Sequence, residues 1–147
     1  MNRAPPVCMT ALPKLVRDYM TRDAVTLGHN DTLGSADDLM RLGRIRHLPI
    51  VDDDGHLAGI VTQRDLFHSG LMRALGYGAH AQRKVLDTLA VKEAMHNDVV
   101  TTTPDTPLAA AARTMFDKKI GCLVVVEDQQ IVGILTESDF VRVAAGP

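Results

Sequence analysis

The sequence predicts an α/β fold of the α+β kind: two tandem β-α-β-β-α units packed sheet to sheet about a pseudo-twofold axis. Three observations carry this. VRDYMTRDAVT at 16–26 recurs as VKEAMHNDVVT at 91–101, and GIVTQRD at 59–65 recurs as GILTESD at 133–139. Between these anchors Leu33, Ala36 and Met40 match Leu108, Ala111 and Met115, each set at the spacing of one helix face. Ile45, Leu48 and Val51 match Ile120, Leu123 and Val126 in short β-branched runs. The offset is 75 residues at the first motif and 74 at the second, so the second copy lacks one residue near the turn at His56. One unit of this size has too little apolar surface to stand alone. Two units can bury each other's faces and leave two equivalent clefts at their seam, a usual place for a small-molecule site.

The elements follow in order. Residues 1–14, with three prolines and no long apolar core, read as an arm rather than a signal peptide. The first copy spans 15–67. A short strand is expected around Val25-Thr26, then a helix with Asp31 as N-cap. In the second copy, 90–147, Thr106 is the expected N-cap, with Pro107 at the first helical position, where its missing N–H costs nothing. HLPIV at 47–51 and LAGIV at 57–61 flank DDDGH, and Asp54-Gly55 is a hairpin signal. LVVVE and IVGIL flank DQQ, which has no glycine, so the second turn type stays open. The connector, 68–89, belongs to neither copy. Leu71, Met72 and Leu75 continue a helix, Gly76-Tyr77-Gly78 interrupts it, and Val85, Leu86 and Leu89 mark a second one. A connection of this length is either a surface connector or a packing and gating element.

Composition narrows the function. Apolar residues make up 46% and charged residues 23% of the 147 residues, as in soluble globular proteins, with net charge −2. Nucleic-acid binders carry a basic excess or stripe, and neither is visible. Aromatics at 3% argue against a base-stacking platform. Cys8 and Cys122 form no framework or Cys-x-x-Cys pair, which fits a reducing, cytoplasmic setting. No run of about 18 apolar residues is present for a membrane span. The six histidines show no metal-ligand spacing, and no phosphate-loop or dinucleotide glycine motif occurs. Asp52-Asp53-Asp54 reads as solvated turn chemistry. Ser69 and Cys122 have no base adjacent in sequence.

The sharpest local feature is G-h-x-T-x-x-D at Gly59–Asp65 and Gly133–Asp139, where a strand ends and a helix begins. Two readings share its geometry. In one, Thr and Asp form a capping box. In the other, the helix start and the Thr hydroxyl hold a phosphate, while Asp accepts from the two hydroxyls of a ribose. Arg64 lies between them and can neutralise phosphate charge.

VRDYMT…VT, IRHLPIVDDDG and GIVTQRD, present twice in order, resemble the cystathionine β-synthase (CBS) domain. Two in tandem resemble a CBS pair, or Bateman module, of the stand-alone bacterial or archaeal type. The resemblance covers 15–67 and 90–143. It implies a regulatory protein, not an enzyme, that binds AMP, ADP, ATP, NAD or S-adenosylmethionine between the copies and acts on a partner. It needs no catalytic cofactor and no metal. The resemblance places Thr62 and Thr136 on phosphate or ribose, and Asp65 and Asp139 on the ribose hydroxyls. It places the segments from Thr21 to Ala24 and from His96 to Val99 at the adenine edge, and Ile45 and Ile120 against its face. Arg46 and His47 stand where phosphate-binding side chains occur. The second copy has Gly121, Cys122 and Ser138 in place of Arg46, His47 and Arg64, with Glu137 beside them. Unequal affinities are therefore expected.

Three hypotheses stand at this point. They are a nucleotide sensor acting on a partner as a homodimer, a structural dimerisation module with empty clefts, and a small nucleotide hydrolase using Asp65 or Asp139. The cations of the first copy favour the first over the second, and the lack of a nucleophile or paired carboxylates disfavours the third.

Overall fold

The computed structural model describes residues 14–74 and 78–146. Its elements in chain order are α1 (Val16–Tyr19), β1 (Thr21–Arg22), β2 (Leu27–Gly28), α2 (Leu33–Gly43), β3 (His47–Val51), β4 (Leu57–Thr62), α3 (Gln63–Ala74) and α4 (Gly78–Thr88). After a short 3₁₀ turn at Val91–Glu93 come β5 (Thr101–Thr102), α5 (Leu108–Lys118), β6 (Cys122–Glu127), β7 (Gln130–Thr136) and α6 (Glu137–Ala145). The predicted α+β architecture holds: two small mixed sheets with helices, ordered β2-β3-β4 and β1-β7-β6-β5. The arm up to residue 13 lies outside the described residues.

Local physics accounts for the elements, with three differences from expectation. The first strand of the first copy is Leu27–Gly28, paired parallel to Ile50–Val51, rather than Val25-Thr26. Asp31 does not cap α2. Its carboxylate accepts from the Gly28 N–H at 2.9 Å, and Thr32 caps instead, accepting from the Ser35 N–H at 3.1 Å. In the second copy Pro107 itself occupies the N-cap, and Thr106 is spent on Thr103. Both helices end on a left-handed residue, Arg44 and Lys119.

The hairpins explain the uneven offset. In the first, the Asp52 N–H reaches the His56 carbonyl, and Gly55 takes φ of 81° in a three-residue loop. In the second, Glu127 pairs directly with Gln130, and both loop residues, Asp128 and Gln129, have positive φ (50° and 65°). That is a two-residue turn of type I′, formed without glycine. One loop residue fewer accounts for the residue missing from the second copy.

Two apolar clusters form the core, and each mixes parts of both copies. Leu33, Ala36, Met40, Leu48, Ile50 and Val61 pack with Leu86, Leu89 and Val91. Leu108, Ala111, Met115, Leu123, Val125 and Leu135 pack with Val16 and Met20. The copies have exchanged their leading segments. The connector does more than span the gap: α4 adds Leu86 to the first core, and Arg83 makes a forked pair with Asp38 on α2 at 2.8 and 2.9 Å. That guanidinium holds the Asp38 carboxyl below its usual range, against a smaller upward push from burial.

Candidate functional site

The exchange assembles the site. β1 lies antiparallel to β7, with Thr21 opposite Ile134 and Arg22 opposite Gly133. At the symmetry-related place, His96 bridges Ile60, with Ile60 N–H to His96 carbonyl at 3.0 Å and the reverse bond at 2.9 Å. Such close approach needs glycine. A Cβ on Gly59 would stand 2.8 Å from the His96 carbonyl, and one on Gly133 would stand 2.7 Å from the Thr21 carbonyl. The motif glycine is therefore a strand-crossing residue. His96 thus reaches β4 and Asp65 of the first copy, and Thr21 and Arg22 reach β7 of the second.

In the first copy Thr62 and Asp65 bond each other across the start of α3. Asp65 Oδ2 accepts from the Thr62 N–H at 2.7 Å and from the Thr62 hydroxyl at 2.9 Å, while Thr62 Oγ1 faces the Asp65 N–H at 3.3 Å. That is the capping box, and it uses one carboxylate oxygen. The other, Oδ1, points away from α3 and lies 2.8 Å from Nε2 of His96, an exposed side chain of the exchanged segment. The Asp65 carboxyl is held rigid by its own helix start and presents one oxygen toward the other copy.

In the second copy Asp139 is buried. Its Oδ2 accepts from the Thr136 N–H at 2.8 Å and faces the Thr136 hydroxyl at 3.4 Å. Its Oδ1 accepts from Arg142 Nη2 at 2.9 Å, and the same Nη2 also donates to the Tyr19 carbonyl at 2.9 Å. Ser138 Oγ bonds Thr136 Oγ1 at 2.8 Å.

The remaining predicted residues spread around this frame. His47, at the start of β3, crosses the seam: its Nε2 lies 3.1 Å from where a Gly121 Cβ would be, close to the Glu137 carboxyl. Burial lowers the His47 pKa, against an upward pull from Glu137 and, more weakly, Asp65. Cys122, its counterpart in the second copy, is a thiol that burial pushes up to about 12. Arg64 is exposed on α3. Ile45 packs against the first core and, with Arg46, Arg44 and Gln63, lines a cavity of about 390 Å³ beside α2. Ile120 lines the corresponding cavity of about 870 Å³ with Phe116, Phe140 and Lys119. Gln63 and Glu137, which follow Thr62 and Thr136 in the two motifs, line these cavities, one each. Asp52, Asp54 and His56 place ligand atoms within 4.8 Å of one another, but the Asp52 carboxylate is engaged by the N–H groups of Asp54 and His56 at 2.9 Å each. That is turn chemistry, as expected.

Sequence reasoning missed Arg142, the Tyr19 carbonyl and the purpose of the motif glycine. Arg142 had a local signal, since it follows Asp139 by three residues on one helix. The other two depend on segments that meet only in the fold.

Two pseudosymmetric α+β halves with exchanged leading segments define the class, a tandem pair of small α+β units. The CBS domain profile matches residues 16–71 and 91–146, and the chain belongs to the CBS domain family. Solved structures agree. A Vibrio cholerae protein described in connection with acetoin utilization (AcuB) is 41% identical, covering 91% of this chain and 92% of that one, with a TM-score of 0.74. The CBS domain pair of protein MJ0100, in complex with 5′-methylthioadenosine and S-adenosyl-L-methionine, is 30% identical, covering 91% and 98%, with a TM-score of 0.74. CBSX2 in complex with AMP is 28% identical, covering 89% and 96%, with a TM-score of 0.72. The first curated relatives are longer. The chain spans 32% of an uncharacterized protein of Methanocaldococcus jannaschii, to which it is 32% identical, and 23% of a homoserine O-acetyltransferase of Methanohalobium evestigatum, at 32% identity. Among the described residues no helix is long and apolar enough to cross a membrane.

Proposed function

We propose that the chain is a regulatory module that binds an adenosyl ligand, an adenine nucleotide or a related compound, in the cleft between its halves. The observation that carries this is the Asp65 carboxylate. It is locked by Thr62 through one oxygen and turns the other to an exposed histidine from the opposite half. A diol can replace one histidine contact without disturbing the helix cap. The ligands held by the MJ0100 pair and by CBSX2 support an adenosyl group. Thr62, Arg64 and the exposed start of α3 offer the phosphate partners, with Arg46 and His47 at the seam. The segment from His96 to Val99 offers backbone groups to the base edge. A ligand touching both halves favours the one relative orientation in which all contacts form, which is how binding is read out by a partner protein. This assigns no catalytic step to the chain.

The observation favouring a second reading, a dimerisation module, is the apolar exposure of the helices: Leu42 on α2, Phe67 on α3, Phe116 on α5 and Val141 on α6. A homodimer through these helices is compatible with sensing and is part of the proposal, as is a cytoplasmic setting. Calorimetry with AMP, ADP, ATP, NAD and S-adenosylmethionine tests the sensing role. Asp65→Ala is expected to weaken binding by about 1.5–3 kcal/mol, roughly 10- to 150-fold, the range for a hydrogen bond to a charged group. No binding by the folded protein to any of the five would leave only the dimerisation reading.

A further inference from the structure

The two motif carboxylates are met by different basic side chains from different places. Asp65 Oδ1 meets His96, which comes from the exchanged segment of the other half and whose side chain is 62% exposed. Asp139 Oδ1 meets Arg142, one turn further along its own helix, and Arg142 is tied a second time to the Tyr19 carbonyl. The counterparts reverse the pattern. At the position equivalent to Arg142 the first copy has His68, which stacks edge-on against Phe67 and is not among the described partners of Asp65. At the position equivalent to His96 the second site receives Thr21 from the exchanged segment of the first copy, and Thr21 carries no charge.

We propose that Arg142 sets the ligand stoichiometry: it occupies the diol-facing oxygen of Asp139 and bolts the second site, so the chain takes one adenosyl ligand, at Asp65. Three physical differences make Arg142 the stronger closure. A guanidinium is a planar fork of several N–H donors that makes charge-assisted bonds to a carboxylate, whereas the imidazole reaches Asp65 through Nε2 alone. Its hold on Asp139 is intrahelical and three residues long in sequence, whereas the His96 contact joins Asp65 to a segment 31 residues away. Its second bond, to Tyr19, must also break before the side chain can leave. Asp139 is in addition the less accessible carboxyl, its side chain 7% exposed against 16% for Asp65.

This inference rests on the adenosyl-binding reading, and the test separates the two. 5′-Methylthioadenosine is the chosen probe because it carries the ribose without a phosphate, so the Glu137 charge does not enter. Calorimetry of the wild-type chain is expected to give one molecule per chain. Arg142→Met, which keeps the apolar stem, is expected to give two, the second within about tenfold of the first in Kd. Asp65→Ala with Arg142→Met is expected to return to one. The converse variant, His68→Arg, places a guanidinium one turn after Asp65 and is expected to weaken the first site several-fold. It tests the idea even if Arg142→Met proves too unstable to titrate. Two equal sites in the wild type, or a folded Arg142→Met chain that still binds one, overturns the bolt while leaving the adenosyl reading intact. A wild type that binds neither this probe nor AMP overturns both.

Discussion

Replacing Gly59 by alanine probes the crossing that builds the site. The added Cβ would lie 2.8 Å from the His96 carbonyl and 2.7 Å from the Met95 sulfur, where ordinary contact begins near 3.4 Å. Met95 is flexible and can turn aside. The carbonyl cannot, because it accepts from the Ile60 N–H in a two-bond bridge. Relieving the clash therefore opens both bonds, at a net cost of about 0.5–1.5 kcal/mol each. Alanine restores about 0.5–1 kcal/mol by restricting the unfolded chain. At mid-range the balance is a loss of about 1 kcal/mol, and at most about 2.5, which for a chain of this size lowers Tm by roughly 2–4 °C at mid-range. Gly133→Ala meets the Thr21 carbonyl at 2.7 Å and should fall by the same amount. Gly43→Ala, in the last turn of α2, has nothing nearer than 3.6 Å and should be neutral or up to about 1 kcal/mol more stable. Urea unfolding of the three variants measures this. A Gly59→Ala protein as stable as the wild type, or three variants shifting in one direction, would refute the claim that glycine is required by the crossing rather than by strand flexibility.

Other outcomes follow from the same contacts. Because burial lowers the folded pKa of His47 below its unfolded value near 6.5, the unfolded chain binds more protons there. This contribution to stability is complete above that pH and declines below it until the folded pKa is passed. His47→Gln should flatten the acid limb of a Tm-against-pH curve, and an unchanged limb would remove His47 from it. Cys122, with its thiol near 12, should resist iodoacetamide at pH 8 in the folded protein and react after denaturation, as peptide mapping at that position would show. Rapid labelling of the native protein at Cys122 would mean that the start of β6 opens. Asp139→Ala should change AMP affinity far less than Asp65→Ala does, with titrations of the two variants side by side as the measure.

The duplication, the order of elements and the motif at each helix start were legible in the sequence, because they rest on local rules. Apolar spacing sets helix and strand faces, and Asp54-Gly55 sets a turn. Thr62 with Asp65 and Thr136 with Asp139 set helix starts whatever they face. The uneven offset was legible as a missing residue, but only φ angles at Asp128 and Gln129 show that it is one loop residue fewer.

Which half each segment serves was decided by tertiary structure alone. Val16 and Met20 read as part of the first copy and lie in the core of the second, while Val91 does the reverse. No periodicity encodes that exchange. Either sheet accepts the same strand pattern, and the outcome depends on how the two pseudosymmetric halves bury their apolar faces together. Gly59 and Gly133 gain their meaning from it, since a glycine in a strand signals close approach without naming the neighbour. The contrast between the two carboxylates also comes from the fold. One oxygen of Asp65 meets a residue 31 positions away, brought there by the crossing, whereas Asp139 is closed by its own helix. Two near-identical motifs thus acquire different surroundings because electrostatic partners are set by position in space, which local sequence controls only within a turn of helix.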